Sequence, residues 1–193
     1  MTFIESVDID FIMNEMKDFK YPWFIAGGWA VDLGIGKITR EHMDMDICIF
    51  RENIQQVLDY FSDWEIRVVI PELHELIPCI DVKDALFPRY CLHLRRGEQF
   101  LEILLTDKID DEVIYRRNDT IRLSVSEFIR NDSINRPYVN PIWQLLFKSK
   151  NPREHDEMDF KNYLPYINSE EKNWLRMNIN RTEPESKWLT ELC

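Results

Sequence analysis

The chain has 193 residues, of which 24 are Lys or Arg and 35 are Asp or Glu, for a formal net charge of −11. That length predicts one domain, with an appendage at most, and 45% hydrophobic with 31% charged residues excludes a disordered tract or a fibre. The acidic balance argues against broad binding to a phosphate backbone, so nucleic acid is not an expected partner, and it favours a cationic small molecule.

The pattern along the chain starts with Ile9, Ile12, Met13, Met16 and Phe19 at helical spacing, a helix that Tyr21-Pro22 closes. A short apolar strand over 23–26 follows, then a glycine turn and a helix over 29–33. Four of the five glycines (Gly27, Gly28, Gly34, Gly36) fall in one ten-residue window, where the backbone needs freedom or close approach. Over 43–50 the period is two, with Met45, Ile47 and Ile49 on one face and Asp44, Asp46 and Cys48 on the other. A helix over 53–61 precedes strands over 65–70, 77–82, 89–94, 100–105 and 113–115. After a polar stretch over 131–140 the period becomes helical. Asn140-Pro141 and Asn151-Pro152 each offer an Asn cap with Pro at the first helical position. Leu164, Ile167, Trp174, Leu175, Trp188 and Leu189 give the last helices apolar faces for packing on the sheet. The reading is an α+β core over 1–135, with a helical segment over 136–193 packed on it as one unit.

Cys48, Cys79, Cys91 and Cys193 have neither CxxC spacing nor the density of a disulfide framework, so reduced thiols and no zinc site are expected. Glu5, Asp8 and Asp10 stand where a signal peptide needs a basic flank, and no run reaches about 18 apolar residues. The expectation is a cytoplasmic protein with no membrane partner. The sequence carries no signal for oligomeric state.

Asp44 and Asp46, two apart on a strand, project from one face with Cα atoms roughly 6.5 Å apart, which suits either a hard cation or a solvated acidic stripe. Glu102 sits among Phe100, Leu101, Ile103, Leu104 and Leu105, where an ionised carboxylate needs a cation or donors nearby. Beside the two aspartates it would complete a metal site. Gly27 and Gly28, between a strand and a helix, offer free amides at a helix N-terminus for an anion such as a triphosphate. Neither the P-loop nor the GxGxxG order is present.

Gly27-Gly28-Trp29-Ala30-Val31-Asp32 with Gly36, Thr39-Arg40, His42, Asp44 and Asp46 resembles the signature of the nucleotidyltransferase superfamily, in its aminoglycoside and lincosamide branch. Leu146-Phe147-Lys148, followed by Arg153, Asp156, Asp159 and Phe160, resembles that branch's C-terminal helical motif. The resemblance implies a mixed sheet of the DNA polymerase beta type flanked by helices. It also implies Gly27 and Gly28 gripping the triphosphate of ATP or another NTP, and Asp44 and Asp46 binding Mg²⁺. Glu102 would hold a second Mg²⁺ or accept the proton of the attacking hydroxyl. The implied chemistry is in-line attack on the α-phosphorus with pyrophosphate leaving, for which clamped metals stabilise both oxygens.

Arg40 then either neutralises phosphate or pairs with Asp32 or the acid stripe. His42 contacts the nucleotide, braces the metal acids or is structural. Lys148 reaches the triphosphate or is a solvated helix lysine, while Asp32, Arg153, Asp156 and Asp159 are read as caps and helix-surface pairs. Asp81, Asp84, Asp107, Asp110, Asp111 and Glu112 either line a cleft for a polycationic acceptor or form solvated loops. The leading expectation is transfer of AMP from ATP to a hydroxyl of a small molecule such as an aminoglycoside or lincosamide antibiotic. A protein or RNA acceptor, and a non-catalytic nucleotide-binding protein, are the alternatives; three converging acids count against the last.

Overall fold

The computed structural model describes residues 4–71, 73 and 75–193. Helix α1 (Val7–Glu15) starts where Ser6 accepts the Asp8 N–H, and it buries Ile9 and Ile12. It ends earlier than its hydrophobic period suggests. Phe19 reaches the core from a turn instead, edge-on to Tyr60 at 5.2 Å. Strand β1 (Trp23–Ile25) leads into α2 (Gly27–Ile35), which begins at the first glycine of the pair rather than at Trp29. Next come β2 (Asp46–Phe50), α3 (Ile54–Tyr60), β3 (Glu65–Ile70) and β4 (Glu75–Pro78), then β5 (Cys91–Arg96) and β6 (Gln99–Thr106).

With two later strands, β10 (Ile129–Asn131) and β11 (Pro137–Val139), these build a mixed eight-stranded sheet in the order β10-β11-β1-β2-β6-β5-β3-β4. β2 runs parallel to β6 and antiparallel to β1. Strand β5 lies two residues later than expected because Gly97, at φ +59°, and Glu98 form a two-residue hairpin turn that lets Arg96 pair with Gln99. Strand β4 ends at Pro78, short of the expected 82, because Asp81 and Asp84 cap a 3₁₀ turn over Val82–Ala85.

A small second sheet holds β7 (Lys108–Ile109), β8 (Glu112–Ile114) and β9 (Arg122–Ser124), followed by α4 (Val125–Phe128). β10 (Ile129–Asn131) and β11 (Pro137–Val139) are a hairpin whose loop and second strand lie in the polar stretch read over 131–140, and β11 pairs with β1 through Ile25 and Tyr138. Asn140 caps α5 (Pro141–Lys148) by accepting the Ile142 N–H. The second Asn-Pro pair is not a cap. Asn151 takes a left-handed φ of 51°, and α6 (Glu154–Tyr163) starts two residues later, where the Asp156 carboxylate accepts the Arg153 N–H.

α7 (Ser169–Thr182) and α8 (Trp188–Glu191) complete the chain. Trp188 stacks on Phe160 at 4.2 Å and Trp174 on Trp143 at 6.0 Å, so the aromatic faces of the last helices do pack on the core. Among the described residues no helix is long and apolar enough to cross a membrane.

Candidate active site

The site forms where β1, β2 and β6 meet the start of α2. Ala26, after β1, donates its N–H to the Asp46 carbonyl, which brings the glycine pair against the first residue of β2. Gly27 has φ +60°, and a Cβ there would overlap Oδ2 of Asp46. A Cβ at Gly28 would overlap the Arg40 guanidinium and come within 2.8 Å of the His42 ring. Close approach of three functional side chains therefore requires both glycines. The N–H of Gly27 donates to Oε1 of Gln144 at 3.2 Å, while those of Gly28 and Trp29 lie in the first turn, where no helical carbonyl can take them.

Gly36 is a useful control because it also has positive φ, +83°, but a Cβ there meets nothing within 4 Å. In urea unfolding, Gly36→Ala is expected to cost about 1–2 kcal/mol, the left-handed penalty alone. Gly27→Ala should cost more because it also displaces Asp46.

Asp46 opens β2 and stands opposite Glu102 in the parallel ladder. Asp44 precedes the strand and is exposed, so the regular strand is three residues shorter than the period-two pattern implied. Pairing reaches back only to Met45, whose carbonyl accepts the Glu102 N–H. Burial pushes the Asp46 carboxyl well above the usual carboxylate range. The charges of Glu102 and Asp44 and a side-chain hydrogen bond with Glu102 push it further, with Lys148 opposing. Carboxylates crowded in this way repel one another unless a cation joins them. The Asp46 and Glu102 carboxylates on adjacent strands, with exposed Asp44 just ahead of β2, are oxygen donors of the kind a hard divalent ion such as Mg²⁺ takes.

Arg40, His42 and Lys148 come together on the Gly28 side, each held by a buried acid. Arg40 makes a two-pronged pair with Asp159, Nε at 2.7 Å and Nη2 at 3.0 Å. Lys148 bridges Asp156 at 2.7 Å and Asp159 at 2.9 Å. His42 stacks on Trp29 at 4.1 Å and meets Asp32 at 2.7 Å, and Asp32 also accepts the N–H and hydroxyl of Thr39.

Asp32 and Asp159 are fully buried, which corrects their reading as helix-surface pairs; Arg153 stands at the N-cap of α6 and pairs there with Asp156, which is buried. Burial opposes ionisation of Asp156, but the side chains of Arg153 and Lys148 outweigh it and bring the carboxyl down to about 2. Burial likewise opposes the Arg40 charge, and the Asp159 hydrogen bond and charge more than compensate, raising its pKa. Asp32 carried the signal that singled out Glu102, an acid in an apolar run (Ala30, Val31, Leu33), and could have been found by it.

A cleft of about 360 Å³ opens from Gly27 and Asp46 toward α5. Tyr90, Phe128, Trp143 and Phe147 supply its aromatic walls, and Arg116, Arg117, Lys148, Lys150 and Arg153 line it with Asp46, Asp107 and Asp156. The Arg116 guanidinium lies over the Tyr90 ring at 3.3 Å, and burial lowers its pKa. Of the six acids considered for an acceptor cleft, Asp107 alone lines this one, and Arg51 holds it at 2.6 Å. Asp84 is instead bound to the N–H groups of Ile80 and Asp81. Arg116, Arg117 and Gln144 were not singled out from the sequence, where nothing sets them apart from other polar residues.

A family model described as aminoglycoside-2''-adenylyltransferase matches residues 8–72. A lincosamide resistance protein of Staphylococcus haemolyticus is 24% identical over 90 residues, 47% of this chain and 54% of that protein, so the chain matches about half the length of this curated relative. The solved lincosamide antibiotic adenylyltransferase LnuA, with lincomycin bound, superposes with a TM-score of 0.59 at 21% identity, covering 86% of this chain and 100% of that one. ANT(2'')-Ia in complex with adenylyl-2''-tobramycin gives 0.57 at 14% identity, covering 92% and 99%. Sequence likeness at the N-terminal end and fold likeness along most of the chain set it beside the nucleotidyltransferases of the aminoglycoside and lincosamide branch.

Proposed function

We propose that this chain, built on the nucleotidyltransferase fold, transfers a nucleoside monophosphate, AMP from ATP, to a hydroxyl of a small antibiotic-like acceptor. The observation that carries this reading is the crowding of Asp46 by Glu102 and Asp44 beside a glycine turn, with Asp46 and Gly27 at the edge of the cleft.

In this account the N–H groups of Gly28 and Trp29 receive the triphosphate at the positive end of α2. Arg40 and Lys148 add charge from a cluster in which Arg40, Lys148 and Arg153 outnumber Asp156 and Asp159 by one. Gln144 fixes the turn through the Gly27 amide. Asp44, Asp46 and Glu102 would hold Mg²⁺, two ions in the full arrangement, and Mg²⁺ would supply electrostatic stabilisation of the phosphoryl charge when bound. Glu102 accepts the proton of the attacking acceptor hydroxyl, and its partner His93, at 3.0 Å, orients the carboxylate.

The cleft lining points to the lincosamide class of acceptor rather than the aminoglycosides. Five cations against three acids would repel a polyammonium ligand, whereas the aromatic walls suit an acceptor with a large neutral face. With ATP and Mg²⁺, pyrophosphate release should depend on a lincosamide and be weak or absent with tobramycin. Release with tobramycin alone would reverse the acceptor assignment. No release with either, while ATP binds, would move the reading to a protein acceptor or to a binding protein.

A further inference from the structure

Cysteine spacing along the chain gave no reason to expect a soft-metal site, because that test sees only neighbours in sequence. Strand pairing makes other neighbours. His93 on β5 stands opposite Glu102 on β6, and Cys91 lies two residues before His93 on the same face. His93 Nε2 is 3.0 Å from Glu102 Oε1, Cys91 Sγ is 3.9 Å from Glu102 Oε2, and one donor atom from each of the three lies within 4.8 Å of the others. Three donors at zinc bond lengths of about 2.0–2.3 Å in tetrahedral array stand roughly 3.3–3.6 Å apart. Small side-chain rotations on two rigidly paired strands would therefore close the set.

The side chains of His93 and Glu102 are 23% and 25% exposed, which leaves an entry path, while Cys91 is buried. Burial, then the charges of Glu102 and Asp46, push the Cys91 thiol up. Binding a metal there would displace the thiol proton to solvent.

We propose that Cys91, His93 and Glu102 form a site for one zinc-class divalent ion, with a fourth position open to solvent. Thiolate and imidazole select Zn²⁺ over Mg²⁺, so this site differs in chemistry from the all-oxygen set at Asp44 and Asp46. Glu102 belongs to both. Zinc at Cys91 and His93 withdraws Glu102 from the acceptor hydroxyl and switches the transfer off; this consequence rests on the proposed function, whereas binding does not.

The test is a Co²⁺ titration of the reduced, metal-free protein, read by the thiolate-to-cobalt charge-transfer absorption in the near ultraviolet. The expected result is saturation at one ion per chain, displacement by Zn²⁺, loss of the band in Cys91→Ser and affinity at least about tenfold weaker in His93→Gln. Cys193→Ser should keep the band. No band in the wild type, or a band that survives Cys91→Ser, overturns the site. In a second arm, Zn²⁺ added against excess Mg²⁺ should suppress acceptor-dependent pyrophosphate release in the wild type, with the fraction retained much higher in Cys91→Ser. Equal suppression of both overturns the switch. A cobalt band in a protein that turns over no acceptor would sustain the metal site and count against the transferase reading alone.

Discussion

Asp46→Asn is expected to lower acceptor-dependent transfer roughly 10²- to 10³-fold, the range for removing one preorganised charge-stabilising group, while making the metal-free protein more stable. The two effects share one cause. Asp46 is held against Glu102 and Asp44 by the register of β2 and β6 and by the overlap that only glycine at position 27 avoids. Without a cation those charges repel. Because its pKa is raised, Asp46 relieves part of that repulsion by taking up a proton, so the neutral amide should stabilise by at most about 4 kcal/mol, the interaction of two unit charges about 4 Å apart near a protein surface. Mg²⁺ should then raise the melting temperature of the wild type and leave that of Asp46→Asn nearly unchanged. Circular dichroism melts with EDTA and with Mg²⁺ check this. A mutant less stable than the wild type in EDTA would show that Asp46 is held by donors rather than crowded by acids.

Asp159→Ala should be among the most destabilising substitutions in the chain, by about 3–5 kcal/mol in urea unfolding. It removes the shared partner of two largely buried cations, Arg40 and Lys148, whose side chains are 13% and 12% exposed. Breaking one side of such a cluster leaves charge buried without compensation, which is the costly case. Arg153→Ala gives the contrast. Its side chain is 70% exposed where it pairs with Asp156, and its loss should cost less than about 1 kcal/mol. The active site should feel Asp159→Ala as well, through a higher KM for ATP, because Arg40 lies over Gly28 only while Asp159 holds its guanidinium. Equal effects of the two substitutions on stability would contradict the buried-cluster account.

Much of the local structure was legible in the sequence, and its long-range pairing was not. The clustering of glycines marked the turn, the DxD spacing marked the mouth of β2, and the misplaced charge of Glu102 marked the neighbouring strand. Each signal is local, a residue type at odds with the pattern around it. Asp159 sends no such signal. Its partner Arg40 lies 119 residues away, and on a helix rich in Glu, Asp and Lys an aspartate reads as one more solvated charge. Strand β11 hides for a related reason: three residues in a polar stretch become a strand only because β1 and β10 flank them. His93 is the sharpest case. Alternation alone put it on a strand, but its meeting with Glu102 depends on the β5–β6 register, which the Gly97 turn sets.

The measurement that tests the central claim most directly is the mass of the acceptor itself. Lincomycin incubated with ATP, Mg²⁺ and the wild-type chain should gain the mass of one AMP residue, with pyrophosphate released in equal amount, and should stay unmodified with Asp46→Asn. Unmodified lincomycin and tobramycin in the presence of the wild-type chain, with ATP and Mg²⁺ bound, would contradict the assignment. So would a product formed equally well by Asp46→Asn.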